Sequence, residues 1–234
     1  MGAIFRRELR SYFTSPIGYI FLAAFYAYAG IMFSNSSLES GYTKLDSVFG
    51  SLLIIIVVLI PILTMRTISE EKRSKTDQCL LTAPVGLGAI VVGKFLAAFV
   101  IYLCAAAITG VFAVVVSAYG SPDWNVVVGN MVALALVGGA YISIGILCSS
   151  FTENQVVAAV SSFIALLLVS FLSTISNILP FEWLKAACNR ISFGERYYSF
   201  TYGVFDFSNV VFFVSAVAVF LFLTVRVLEK RRWA

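Results

Sequence analysis

Six uncharged apolar runs constrain what this chain can become: residues 17–33, 48–65, 95–119, 126–148, 156–179 and 207–225. A transmembrane helix needs roughly 17–25 such residues, whereas a barrel strand takes about 9–11 with alternating polarity. Each run has the helical length and none alternates. Within a bilayer a helix also satisfies its own backbone hydrogen bonds, which an isolated strand does not. The segments between the runs are too short to build a separate soluble core. The expectation is an all-α polytopic membrane protein, with residues 1–234 forming one transmembrane domain. Composition agrees, since 12% of the residues are charged against about a quarter in globular domains.

The basic residues set the expected orientation. With the N-terminus inside, twelve Lys and Arg fall on cytoplasmic segments: Arg6, Arg7, Arg10, Arg66, Lys72, Arg73, Lys75, Lys94, Arg226, Lys230, Arg231 and Arg232. Only Lys44, Lys185, Arg190 and Arg196 fall outside. That asymmetry predicts cytoplasmic N- and C-termini by the positive-inside rule. The small-residue stretch "AYAG" at 27–30 resembles a signal-peptide cleavage site, but the apolar run continues past it, so a retained first helix is expected. The net charge of +4 reads as topology, with no aromatic-interleaved basic groove for nucleic acid.

Chemistry inside the membrane is sparse. The chain has no histidine, so Ser/His/Asp and Cys/His arrangements are excluded. Cys79, Cys104, Cys148 and Cys188 show no C-x-x-C spacing, and neither a zinc or haem site nor an internal disulfide is expected. No Walker A sequence is present. The six runs contain no Asp, Glu, Lys or Arg, which argues against a transporter driven through buried carboxylates. Asn130, Thr109, Ser143, Tyr141, Ser161, Ser162, Ser170 and Ser173 read as interhelical hydrogen-bonding groups, and Gly138, Gly139, Ala140 and Gly145 as close helix contacts.

Two segments stand out by pattern. In residues 1–16, Phe5, Leu9, Tyr12 and Phe13 share one helical face while Arg6, Arg7 and Arg10 lie away from it. This predicts an interfacial helix, apolar side toward the membrane and arginines toward anionic head groups, ended by Ser15-Pro16. The cytoplasmic segment 66–94 then concentrates charge: residues 66–77 carry Arg66, Glu70, Glu71, Lys72, Arg73, Lys75 and Asp77. Thr67-x-x-Glu70 matches a capping box, and Glu71/Lys75 and Arg73/Asp77 are i,i+4 pairs of opposite sign. A short preformed helix is expected, with Leu80 and Leu81 as an apolar anchor and Pro84 and Gly86 as its breakers.

The stretch "LTMRTISEEKRSKTDQCLLTAPVGLGAIVVGKFLAA" resembles the signature of ABC-2 type permeases, the membrane subunits of a class of ABC transporters. The match runs through Met65, Arg66, Ser69, Glu70, Glu71, Lys72, Arg73, Thr76, Leu80, Leu81, Pro84, Gly93 and Lys94. The segments "FRREL", "FTSPIGY" and "TENQVVA" resemble the gliding-motility-associated and copper-maturation (Nos-type) branch. Lys75 stands where the family usually has glycine, and Asp77-Gln78-Cys79 replaces Leu-Glu-Leu. Loss of that glycine is expected to favour a more regular helix.

The resemblance implies a non-catalytic membrane subunit, not an enzyme, in the bacterial cytoplasmic (inner) membrane. ATP and Mg would be bound by separate ABC ATPase subunits, with no cofactor or metal in this chain. A second permease subunit, identical or homologous, completes the expected assembly. Ser69, Glu70, Glu71, Lys72, Arg73, Thr76, Asp77, Leu80 and Leu81 would form the coupling helix that docks on the ATPase. Thr152, Glu153 and Asn154 would make a second ATPase contact. The aromatic loop 180–206, with Trp183, Tyr197, Tyr198 and Tyr202, reads either as an outer gate or dock for an extracytoplasmic-domain protein, or as an aromatic belt. Function divides likewise between substrate movement across the membrane and mechanical transmission to an envelope partner without transport.

Overall fold

A computed structural model describes residues 2–38, 45–76, 86–120, 123–172, 174, 183, 185, 190, 192–201 and 206–233. Asp77, Leu80, Leu81, Ser173 and Tyr202, named above, lie outside the described residues. Among those described, every regular element is helical: α1 (Gly2–Thr14), α2 (Pro16–Phe33), α3 (Asp46–Thr64), α4 (Ser69–Arg73), α5 (Leu87–Ala106), α6 (Ile108–Tyr119), α7 (Trp124–Phe151), α8 (Gln155–Ser170), α9 (Phe193–Thr201) and α10 (Phe207–Trp233). A single π-type turn, Ser34–Leu38, extends α2.

α7 is the axis of the bundle. It packs against α3, α5, α8, α9 and α10. Its apolar residues have no sidedness, as a helix enclosed by other helices requires. At 28 residues and 1.5 Å per residue it is about 42 Å long, longer than the roughly 30 Å hydrocarbon layer. Its last turn meets α4. Asp123 caps the other end by accepting from the Asn125 backbone N–H at 3.1 Å. Asn154 caps α8 in the same way through Val156 at 2.9 Å.

Among the described residues, five helical stretches are long and apolar enough to cross a membrane: Pro16–Ser36, Ser47–Arg73, Leu87–Tyr119, Trp124–Phe151 and Phe207–Arg231. The fifth expected span, 156–179, is described as the 16-residue α8 with a few residues beyond it. The third expected span, 95–119, lies within a longer helical stretch. Its helix starts eight residues earlier than 95, at Leu87, so Lys94 lies inside an apolar helix and is 1% exposed.

The small residues behave as expected. A Cβ at Gly138 would lie 2.1 Å from Tyr102 Cε1, and one at Gly145 would lie 2.3 Å from Thr64 Oγ1. The polar residues behave differently. Thr109, Ser143, Ser161 and Ser162 hydrogen-bond to carbonyls three or four residues back in their own helices, which is the local competition open to hydroxyl side chains. Two hydrogen bonds do bridge elements: Tyr141 with Ser170 Oγ at 2.7 Å, and Asn130 Oδ1 accepting from Thr201 at 3.0 Å.

Candidate functional site

The charged hairpin after α3 folds back against the end of the bundle that also carries α1 and the last turns of α7 and α10. Its start corrects the expected capping box. Thr67 Oγ1 donates to the Thr64 carbonyl at 2.6 Å, and Glu70 takes a two-pronged contact from Arg66 at 2.5 and 2.6 Å. The free amides of α4 are instead met by Ser149, near the end of α7. Its buried Oγ accepts from Ile68 N–H at 3.2 Å and Ser69 N–H at 3.1 Å, and donates to the Met65 carbonyl. The Lys72 ammonium reaches down to the Ser150 carbonyl. One helix thus supplies both the cap and the seat of another.

Ser149→Ala is expected to destabilise the protein by about 1–3 kcal/mol, because two buried donors lose their acceptor. Melting in detergent reads this directly. A melt equal to wild type would show that Ser149 does not hold α4.

Glu71 was expected to pair with Lys75, and that pairing is not made. Its Oε1 lies 2.8 Å from Lys94 Nζ and 2.8 Å from Arg7 Nη2. Glu8 Oε1 joins from α1, 3.2 Å from Lys94 and 2.6 Å from Arg7. The Thr67 carbonyl accepts from Lys94 at 2.8 Å. Two cations and two carboxylates form a neutral cluster around an ammonium only 2% exposed. A charge so buried is tolerated only when paired and hydrogen-bonded. The pairing welds α1, α4 and α5 at one point.

α1 is placed to make this contact by sequence. Ile4 and the Phe5 amide sit over Gly93, where an added Cβ would meet Ile4 Cγ2 at 3.2 Å. Tyr12 is buried and donates to the Leu63 carbonyl at 3.1 Å; burial pushes its phenol well above the ordinary range, so it stays protonated. Of the face expected to meet lipid, Phe5 and Leu9 pack on the core beside Ile4, and Tyr12 is buried, whereas Phe13 is exposed. Arg6 and Arg10 are exposed as expected, but Arg7 turns into the cluster, where its hydrogen bond to Glu8 raises its pKa. Between α1 and the hairpin lies an open cleft of about 410 Å³, lined by Arg7, Glu8, Ser11, Tyr12, Arg66, Glu70, Glu71 and Lys94 among others.

The end of α4 gives a further correction. Lys75 does not extend the helix. It adopts φ 57°, in the left-handed region. Its N–H bonds the Lys72 carbonyl at 3.2 Å, and the Thr76 N–H bonds the Glu71 carbonyl at 3.0 Å. This is a complete Schellman closure with lysine at the position that favours glycine.

Of the residues expected to face an ATPase, Ser69 and Lys72 are buried against the bundle and Glu71 is drawn into the cluster. Glu70 is partly exposed, and Arg73 and Thr76 are exposed. In the turn 152–154, Glu153 pairs with Arg231 of α10 at 2.9 Å, and Thr152 Oγ1 accepts from Asn154 N–H. At the opposite end Trp183 and Tyr198 are exposed, whereas Tyr197 is fully buried with its hydroxyl on the Phe49 carbonyl. Tyr197 is a core residue, not a surface for docking. Next to Tyr198, an apolar cavity of about 290 Å³ lies between α3, α8 and α9, with the Tyr141–Ser170 pair on its wall.

Sequence reading passed over Glu8 and Lys94 as site residues. Lys94 did carry a signal, being the only charged residue of α5. Among the described residues no group of three or more His, Cys, Asp or Glu could hold a metal ion.

No curated protein matches the chain. The family model for ABC-2 family transporter proteins matches residues 3–233, nearly its whole length. Members of that family work with ABC ATPase partners. A helical membrane protein whose charged hairpin is built into the bundle by a buried ion cluster thus belongs to the ABC-2 family of transporter proteins.

Proposed function

We propose that the chain is the membrane-spanning permease subunit of an ABC transporter in the bacterial inner membrane, and that α4 is its coupling helix. The observation that carries this is the Glu8–Arg7–Glu71–Lys94 cluster. A coupling element must pass displacement to the spans without absorbing it. α4 has only five residues, too few to hold shape alone. It is rigid because Lys94 grips it from α5 and Ser149 and Ser150 grip it from α7. A push on α4 then moves α1, α5 and the axial helix together.

In this reading both termini and the hairpin are cytoplasmic, and the segment from α8 toward residue 179 supplies a sixth span. A second permease subunit and two ATPase subunits complete the transporter, with ATP and Mg held by the ATPases.

A photo-cross-linking amino acid at exposed Ser74 should capture an ABC ATPase in native membranes, identified by its Walker A peptide. The same group at Asn125, at the opposite end of α7, should not. Capture from Asn125, or from neither, defeats the assignment. Substrate movement that tracks hydrolysis in proteoliposomes supports transport, whereas hydrolysis without flux supports mechanical transmission to an envelope partner.

A further inference from the structure

We infer that the ATPase surface receiving α4 is acidic, and that Arg73 and Lys75 are the residues by which this chain selects it; the inference rests on α4 being the coupling helix. Among the described residues the hairpin's charges divide cleanly. Arg66 and Glu70 neutralise each other. Glu71 is held by Lys94 and Arg7, and Lys72 is buried on the Ser150 carbonyl. Arg73 and Lys75 are exposed and make no ion pair among the described residues. Hence both carboxylates of "SEEKR" are ion-paired, and the exposed Arg73 and Lys75 leave the end of α4 cationic.

The backbone makes Lys75 a choice of side chain. Its left-handed φ of 57° is one that glycine adopts freely and lysine does not. The turn is closed by its two backbone bonds and by Ser74 Oγ on the Glu70 carbonyl at 2.8 Å. A lysine kept at a strained, exposed position points to use of its ammonium, since the fold alone is better served by glycine. Because the turn is pinned on α5 and α7, both cations are presented at fixed positions. Fixed charges of one sign suit a complementary protein surface and set partner choice. Mobile lipid head groups need no such rigidity, and exposed Arg6 and Arg10 on α1 are available to them.

The test uses the full chain in phosphatidylcholine nanodiscs and the ABC ATPase captured from position 74. Arg73→Gln and Lys75→Gly should each weaken binding about fivefold, and together about twentyfold, with a shallower salt dependence. Lys75→Gly should meanwhile melt at or above the wild-type temperature, which separates lost contact from lost fold. Binding lost to Arg73→Glu with Lys75→Glu should return when acidic residues at the cross-linked ATPase site are changed to lysine. Unchanged affinity in the double neutral variant, with the cross-link intact, overturns the acidic match and leaves the coupling assignment standing. Absence of any cross-link overturns both. An effect seen only when phosphatidylglycerol is added assigns the cations to lipid and also overturns the inference.

Discussion

Replacing Lys94 by methionine is expected to destabilise the folded protein by about 3 kcal/mol, toward the lower end of what breaking a buried ion pair costs. Glu71 and Glu8, 18% and 14% exposed, would be left facing each other across the vacated ammonium. Arg7 already contacts both carboxylates and is 54% exposed, so it moderates the loss without replacing Lys94. The Thr67 carbonyl also loses its donor. The combined variant Lys94→Met, Glu8→Gln and Glu71→Gln should recover most of that stability, because it leaves no buried charge unpaired. It should nevertheless remain defective in permease-stimulated ATP hydrolysis, since the ionic tie from α4 to α1 and α5 is gone. Melting in detergent and ATPase assays in proteoliposomes read the two effects separately. A Lys94→Met protein that melts like wild type would show that the cluster carries no stability. Wild-type stimulation by the triple variant would show that α4 transmits force by another route.

The same cluster shows where sequence reasoning reached and where it stopped. The all-helical architecture and its long apolar helices were legible because length and uncharged composition determine them almost locally. The glycine contacts were legible because a helix cannot approach another closely with a Cβ in the way. Partner choice within the charged hairpin was not. Glu71 has a local partner at Lys75, but an exposed i,i+4 pair is worth only a few tenths of a kcal/mol. A buried ammonium offers far more, and α5 brings Lys94 within 2.8 Å. The capping box failed for a related reason, since the acceptor for α4's amides comes from Ser149, distant in sequence. Tyr197 was read from aromatic content as an outer surface residue. Its burial depends on how α9 folds back over α7 and α8, which composition does not encode. Lys75 is the instructive case. A lysine there suggests a continuing helix, but the closing hydrogen bonds set a left-handed turn at φ 57°.

Gly138→Ala is expected to destabilise the bundle by about 2–3 kcal/mol, although alanine is the better helix former by roughly 1 kcal/mol. The added methyl would sit 2.1 Å from Cε1 and 2.2 Å from Cζ of Tyr102. That ring cannot move aside. It is fully buried, and its hydroxyl is tied to the Leu134 carbonyl, one turn back on α7, at 2.7 Å. Relief requires α5 and α7 to separate or the Tyr102 hydrogen bond to break, and overpacking of a tight core costs about 1–3 kcal/mol before that bond is counted. The neighbouring Gly139→Ala is the control: its Cβ would meet Phe99 Cε2 at 3.3 Å, on a ring only partly buried. There the helix-forming gain should dominate, so the two adjacent substitutions should shift the melting temperature in opposite directions. Tyr102→Leu should be harmful alone yet less harmful beside Gly138→Ala, with a coupling of about 1–2 kcal/mol as expected for residues in contact. Equal shifts for Gly138→Ala and Gly139→Ala, or no coupling to Tyr102, would mean that α5 and α7 are not held at this distance by the missing side chain.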